Sequence, residues 1–252
     1  MIALLRSLPA SLADCELTCI ERLPIDGEAA RAEQAALRRA LEEAGIAVIE
    51  LPADEACPDC AFVEDLVVVL DERRILTNPG APSRRPERAA VADLLGTLGP
   101  WTSLPEGLRL DGGDVLQIAD RIFVGRSSRS DPAAARWLGE QAGRPVVPVE
   151  LRGVLHLKTG ATALDDRTIL AAPGAVDEAA FEGLEILHTP PGEARAANVL
   201  RLPDRLLADA GAPGTLALLR DRGHQVVPLP IDHIARAEAG LTCLCVLLPG
   251  SP

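Results

Sequence analysis

One arrangement of secondary-structure signals recurs along the chain, and it constrains the fold more than any other feature. A short apolar strand leads through a turn to a second strand, then a helix, then a third strand. Glu64-Asp-Leu-Val-Val-Val-Leu, the Asp71-Glu72 turn, Arg74-Ile-Leu-Thr and a helix over 87–98 make one such unit. Asp111-Gly-Gly-Asp-Val-Leu-Gln-Ile, Arg121-Ile-Phe-Val-Gly, a helix from Pro132 and Val146-Val-Pro-Val-Glu make another. His156-Leu-Lys-Thr opens a third and Asn198-Val-Leu-Arg a fourth, so the starts lie roughly 45 residues apart. At the next interval the chain reads Leu241-Thr-Cys-Leu-Cys-Val-Leu-Leu, with room for one strand only. The missing strand, helix and third strand of that unit are present at the other end, in Ile2-Ala-Leu-Leu, 28–44 and 46–51. Five units joined through the two termini predict a closed ring with pseudo-fivefold symmetry. The fold class expected is α/β, a five-bladed α/β propeller, with residues 1–252 as a single domain. An ordinary α/β domain with recurring elements is the alternative.

Local signals support these elements. Branched residues mark strands at 46–51, 66–70, 122–124, 146–149, 168–171, 226–229 and 242–248. Helices over 28–44, 87–98, 132–142 and 213–222 are each followed by a glycine, at Gly45, Gly99, Gly143 and Gly223.

Charge and composition narrow the function. Twenty-five Lys and Arg against 37 Asp and Glu give a net charge of −12, which disfavours nucleic acid and anionic membranes. Three phenylalanines, two tryptophans and no tyrosine are too few for a base-stacking platform. No apolar run reaches the length of a membrane span. Arg6 interrupts the N-terminal apolar run, and Asp14 stands where a lipoprotein signal before Cys15 needs a small residue. A cytoplasmic location is expected, with the six cysteines as free thiols.

A closed ring brings the unit starts together around one axis. Glu64, Asp65, Asp111, His156, Asn198 and Cys243 then converge. Cys243 offers a nucleophilic thiolate, His156 a proton shuttle, and Asp111 a carboxylate to orient the imidazole. Taken singly, a cysteine in an apolar strand is a small hydrophobe and Asp-Gly-Gly-Asp is a turn. Their shared register carries the functional reading. In an extended strand Glu64 and Asp65 point to opposite faces, so one of them should meet a ligand directly. Carboxylates around a thiol suit a planar cation such as a guanidinium, whose charge would also lower the thiol pKa on binding. Arg84 and Arg129 occupy equivalent places after the second strand of their units and could clamp a carboxylate at the far end of the same ligand. The ligand implied is a small guanidino amino acid.

These residues resemble the dimethylarginine dimethylaminohydrolase family of the amidinotransferase, or pentein, superfamily. The resemblance runs from about Ser11 to Leu247. It is carried by Leu51-Pro-Ala-Asp-Glu, Pro58-Asp-Cys-Ala-Phe-Val-Glu-Asp, Pro79-Gly-Ala-Pro-Ser-Arg-Arg, Leu110-Asp-Gly-Gly-Asp-Val-Leu, Phe123-Val-Gly-Arg-Ser-Ser-Arg-Ser, Leu155-His-Leu-Lys and Leu241-Thr-Cys. It implies the pentein fold, Cys243 as nucleophile, His156 as general acid and base, and Asp111 as its partner. It implies that Asp65, with Glu64 beside it, holds the guanidinium. Asp59 and the carbonyls of Leu17 and Ala237 would hold the α-amino group, and Arg84 and Arg129 the α-carboxylate. Nω-methylated arginines would be converted to citrulline plus dimethylamine or methylamine, through an S-alkylthiouronium on Cys243. No cofactor is implied, and a homodimer is left open.

Cys245, two residues beyond Cys243, is expected on the same strand face and competes for the assignment. Cys57-Pro-Asp-Cys60 with Cys15 and Cys19 could supply four thiolates for zinc. Cys15 and Cys19 precede a helix, however, and Cys57 and Cys60 overlap a family loop, so no metal is assigned. Two other functions compete. One is a hydrolase acting on arginine or an N-hydroxyarginine. The other is a binding module without chemistry, as in translation initiation factor six of the same fold; retention of Cys243, His156 and Asp111 argues against it.

Overall fold

The computed structural model describes residues 1–249. Its order begins with β1 (Ile2–Arg6), α1 (Gly27–Glu43) and β2 (Ala47–Leu51). Next come β3 (Val67–Leu70), β4 (Arg73–Leu76), α2 (Arg88–Leu98) and β5 (Trp101–Ser103). The third group is β6 (Val115–Ile118), β7 (Arg121–Gly125), α3 (Pro132–Ala142) and β8 (Val146–Val149). A one-turn helix, α4 (Leu157–Gly160), leads into β9 (Ala161–Ala163), β10 (Thr168–Ala171) and β11 (Glu185–His188). The last group is β12 (Leu200–Arg201), β13 (Leu206–Asp209), α5 (Pro213–Asp221) and β14 (Val226–Leu229), followed by α6 (Asp232–Ala235) and β15 (Val246–Leu248).

These strands form five three-stranded sheets of one design. In each, the first strand pairs antiparallel with the second and the second pairs parallel with the third, as in β6-β7-β8. The parallel step needs a crossover, which is why a helical segment always sits between the second and third strands. In the fourth sheet it is only a short 3-10 helix, Glu178–Phe181. The remaining sheet is β15-β1-β2, with Leu4 opposite Val246 and Ile2 opposite Leu248. Its first strand comes from the end of the chain and its other two from the beginning. The ring of blades is therefore closed by the termini, as the spacing of the units predicts.

Burial follows position in the blade. The second strands β10 and β13 are wholly buried, whereas the third strand β5 is exposed along its length. Apolar side chains gather between neighbouring blades: Leu4, Val246 and Leu248 of one sheet pack with Val67, Leu76, Val91 and Leu95 of the next. The helices carry the expected end signals. Asp26 accepts the N–H groups of Glu28 and Ala29 at the start of α1, proline opens α3 and α5, and Gly143 ends α3 in the left-handed region at φ 63°. No helix among the described residues is long and apolar enough to cross a membrane.

Two sequence expectations need correction. The strand expected over 242–248 is a 3-10 turn, Thr242–Leu244, followed by β15. Glu64 and Asp65 likewise stand on a 3-10 turn, Val63–Leu66, and not in an extended strand. The turns pack closely at the axis. A Cβ on Gly112 would lie 2.0 Å from the carbonyl oxygen of Glu64, so neighbouring units meet there backbone to backbone.

Candidate active site

All five unit starts have this form. The first strand of each blade is preceded by a single helical turn: Val63–Leu66, Gly112–Asp114, α4, Ala194–Ala197 and Thr242–Leu244. Asp111 and His156 cap the second and third, Asn198 ends the fourth, and Cys243 lies within the fifth.

His156 is buried between carboxylates. Its Nε2 lies 3.0 Å from Oδ2 of Asp111, and its Nδ1 lies 3.7 Å from Oδ1 of Asp65. Asp111 is fully buried, and its other oxygen accepts the N–H of Gly80 at 2.7 Å. Asp65 accepts the N–H of Gly113 at 3.0 Å and is paired with Arg84. A Cβ on Gly113 would come within 2.8 Å of both Asp65 and His156, so only glycine permits this approach. Burial disfavours a charged imidazole here, but Asp65, Asp111 and Asp114 outweigh it and raise the His156 pKa to about 9. For Asp65, burial opposes ionisation, yet His156, Arg84 and the Gly113 N–H hold its carboxyl below the usual range.

Cys243 is half-buried, and its Sγ accepts the N–H of Gly240 at 3.3 Å. Burial, then the charges of Glu64 and Asp65, push its thiol up to about 12. The Gly240 N–H and Lys158 pull the other way. These shifts favour a neutral thiol and a protonated imidazole in one cavity near neutral pH. Cys245 is separated from it. It begins the extended segment and lines a different cavity, about 530 Å³, that runs along the axis among the first strands. The expected sharing of one strand face does not occur, because the chain is helical at Cys243 and extended at Cys245.

Glu64 and Asp65 do diverge, although on a turn. Asp65 lines the cavity that holds Cys243 and His156, while Glu64 lines the axial one. Glu64 is bound by Lys158 Nζ at 2.6 Å and by the Thr242 hydroxyl at 2.7 Å. Asn198 bonds the Lys158 carbonyl and both the hydroxyl and the N–H of Thr242, tying three blades together without facing the thiol's cavity.

Asp59, Arg84, Arg129 and Ala237 line the same cavity as Cys243. The two arginines differ in surroundings. Arg84 is buried, with Glu87, Asp65 and the carbonyls of Asp59 and Phe62 around its guanidinium. Arg129 is more open, with Nη2 3.1 Å from Glu16 and 3.3 Å from the Thr18 hydroxyl. Leu17 lies between those two contacts on a loop whose next N–H groups, of Thr18 and Cys19, are both held by the Glu238 carboxylate. Asp59 accepts the N–H of Glu16 at 3.1 Å.

Sequence reasoning missed several supports. Asp114 is fully buried, accepts the Leu157 N–H and the Ser127 and Ser130 hydroxyls, and is raised by burial to about 6. The second acid of Asp-Gly-Gly-Asp, one helical turn after Asp111, was its available signal. Lys158 and Glu87, the counter-ions of Glu64 and Arg84, gave none, because their partners are distant or look like ordinary helix charges. Among the described residues, Asp65, Asp111 and His156 form the one group of ligand-type side chains within 4.8 Å of each other. The Arg84 guanidinium already supplies, at Asp65, the compensating charge a cation would bring.

No family model matches the chain. It is 38% identical over 253 residues to a dimethylarginine dimethylaminohydrolase of Streptomyces coelicolor, covering 98% of this chain and 96% of that one. The chain belongs to the dimethylarginine dimethylaminohydrolase family. Two solved structures of the family superpose on it. One is a cysteine-to-serine mutant of the Pseudomonas aeruginosa enzyme complexed with citrulline, with TM-score 0.91 and 29% identity over 97% of each chain. The other is a histidine-to-glycine variant in adduct with S-methyl-L-thiocitrulline, with TM-score 0.91, 29% identity and coverage of 97% of this chain and 98% of that one. The five-bladed ring is thus the pentein fold of this family.

Proposed function

We propose that the chain hydrolyses Nω-methylated arginines to citrulline and dimethylamine or methylamine, with Cys243 as nucleophile. The observation that carries this is a thiol, an imidazole and the Asp65 carboxylate lining one cavity, with Asp111 bonded to the imidazole. Burial, and then Glu64 and Asp65, keep the thiol neutral there. Such a site is at rest without substrate. A guanidinium bound beside Cys243 adds a positive charge that stabilises the thiolate, and Cys243 releases its proton to solvent. The thiolate adds to the guanidinium carbon. His156 gives its proton to the departing amine nitrogen, leaving a cationic S-alkylthiouronium and a neutral imidazole. That imidazole takes a proton from water as its oxygen adds; collapse of the adduct expels the thiolate, which takes up the proton lost by the adduct's hydroxyl, and leaves the ureido group of citrulline. Asp111 keeps the ring oriented through both transfers.

Arg129 receives the α-carboxylate in place of Glu16, and Arg84 sets Asp65 while lining the same cavity. Asp59 and the carbonyls of Leu17 and Ala237 hold the α-amino group. The cavity is about 20 Å³, room for about one water, and Glu16 occupies Arg129 at its edge, so Glu16 must leave that arginine for an amino acid to enter. Every group in this scheme comes from one chain, and none of its steps uses a cofactor. Six free cysteines suit a reducing compartment, and we place the reaction in the cytoplasm. The test is covalent trapping: a haloacetamidine should alkylate Cys243, and substrate should protect it. Labelling of Cys245 with Cys243 untouched would overturn the assignment.

A further inference from the structure

A separate cavity, of about 810 Å³, lies between the start of α2 and the loop that follows β5. Three arginines line it, Arg85, Arg88 and Arg109, together with Ser103 and a single carboxylate, the exposed Glu106. This basic lining is out of character for a chain of net charge −12. Arg109 is neutralised by Asp131, 2.7 Å away. Neither Arg85 nor Arg88 pairs with a carboxylate among the described residues. Arg88 is half-buried and bonds only to neutral acceptors, the Thr77 carbonyl at 2.7 Å and the Ser103 hydroxyl at 3.0 Å. Those bonds leave most of its five N–H donors unused. Burial alone acts on its pKa and lowers it, with no acid nearby to restore it. The opposite wall is preformed: the Asn78 amide donates to the carbonyls of Leu104, Pro105 and Leu108 and fixes the loop.

We infer that this cavity is an anion site that takes the phosphate group of a small molecule. Two uncompensated guanidiniums match a phosphate, which carries about −1.5 to −2 at pH 7, and each can bind it through a planar fork. The cavity shares no lining residue with the one around Cys243. The site therefore stands whether or not the proposed reaction does.

Calorimetric titration of the full chain with inorganic phosphate at fixed ionic strength tests it. Saturable binding is expected, weakened about ten-fold or more in Arg85→Gln and in Arg88→Gln. Arg85 is exposed, so its substitution should leave the fold intact. Turnover of methylarginine by Arg85→Gln should stay within about two-fold of the parent. Arg129→Ala should bind phosphate as the parent does, which separates this cavity from the active site. Absence of saturable binding, binding unchanged in Arg85→Gln, or binding lost in Arg129→Ala would overturn the inference. Equal affinity for the dicarboxylate glutarate would overturn the assignment to phosphate.

Discussion

The protonation states of Cys243 and His156 are the most exposed consequence of the site at the residue scale. His156 is raised from about 6.5 in an unfolded chain to about 9 in the fold. The imidazolium therefore stabilises the native state fully below the lower value, and that contribution disappears as pH rises through about 9. With His156 in the proposed role of general acid, turnover should fall as pH rises through about 9, where the ring loses the proton it gives to the leaving amine. Asp111→Asn should lower the His156 titration point, read by NMR of the ring protons; an unchanged value would remove Asp111 from its role. Cys243→Ser should lose activity by a factor of about 10³ or more, while Cys245→Ser, changed at a wall of the other cavity, should retain most of it. Arg129→Ala removes a charge-assisted fork and should raise KM by about 10- to 150-fold, the equivalent of about 1.5–3 kcal/mol. An unchanged KM would mean that the α-carboxylate is read elsewhere. Chelation should leave turnover intact if, as proposed, Cys243 is the nucleophile; turnover lost to a chelator and restored by added metal would overturn that proposal.

Among the elements, the axial turns decide what sequence could and could not tell. The strands and long helices were legible because their apolar spacing extends over enough residues to be periodic. The turns at Val63–Leu66 and Thr242–Leu244 were not, since three or four residues carry no period. Reading them as strands gave the right residues at the axis and the wrong geometry between Cys243 and Cys245. The expected equivalence of Arg84 and Arg129 had the same limit. Spacing put both after a second strand, but the environment of Arg84 depends on Asp65 and Glu87, which meet it only in the fold. Close packing of the turns also makes a prediction. Gly112→Ala puts a Cβ against the Glu64 carbonyl and should destabilise the protein by about 1–3 kcal/mol in urea titration. A neutral result would mean that the axis is looser than the backbone contacts indicate.

For the whole molecule, ring closure is what turns five small sheets into one site. β15 contributes a single strand, yet it seals the first blade and follows directly from the turn that carries Cys243. We propose that residues 1–252 form one domain held shut by this strand. Thermal unfolding should then be a single cooperative transition, and removal of residues 246–252 should abolish it together with activity; two separated transitions in the parent chain would contradict the proposal. The acidic centre this ring assembles, with Asp65 and Asp111 around His156, suits a cationic substrate. The most direct measurement of that account is citrulline formation from asymmetric dimethylarginine, monomethylarginine and arginine, assayed side by side with the parent and with Cys243→Ser. Turnover of the methylated substrates in preference to arginine, lost in Cys243→Ser, is the predicted result. Turnover of arginine alone, or undiminished citrulline formation by Cys243→Ser, would contradict it.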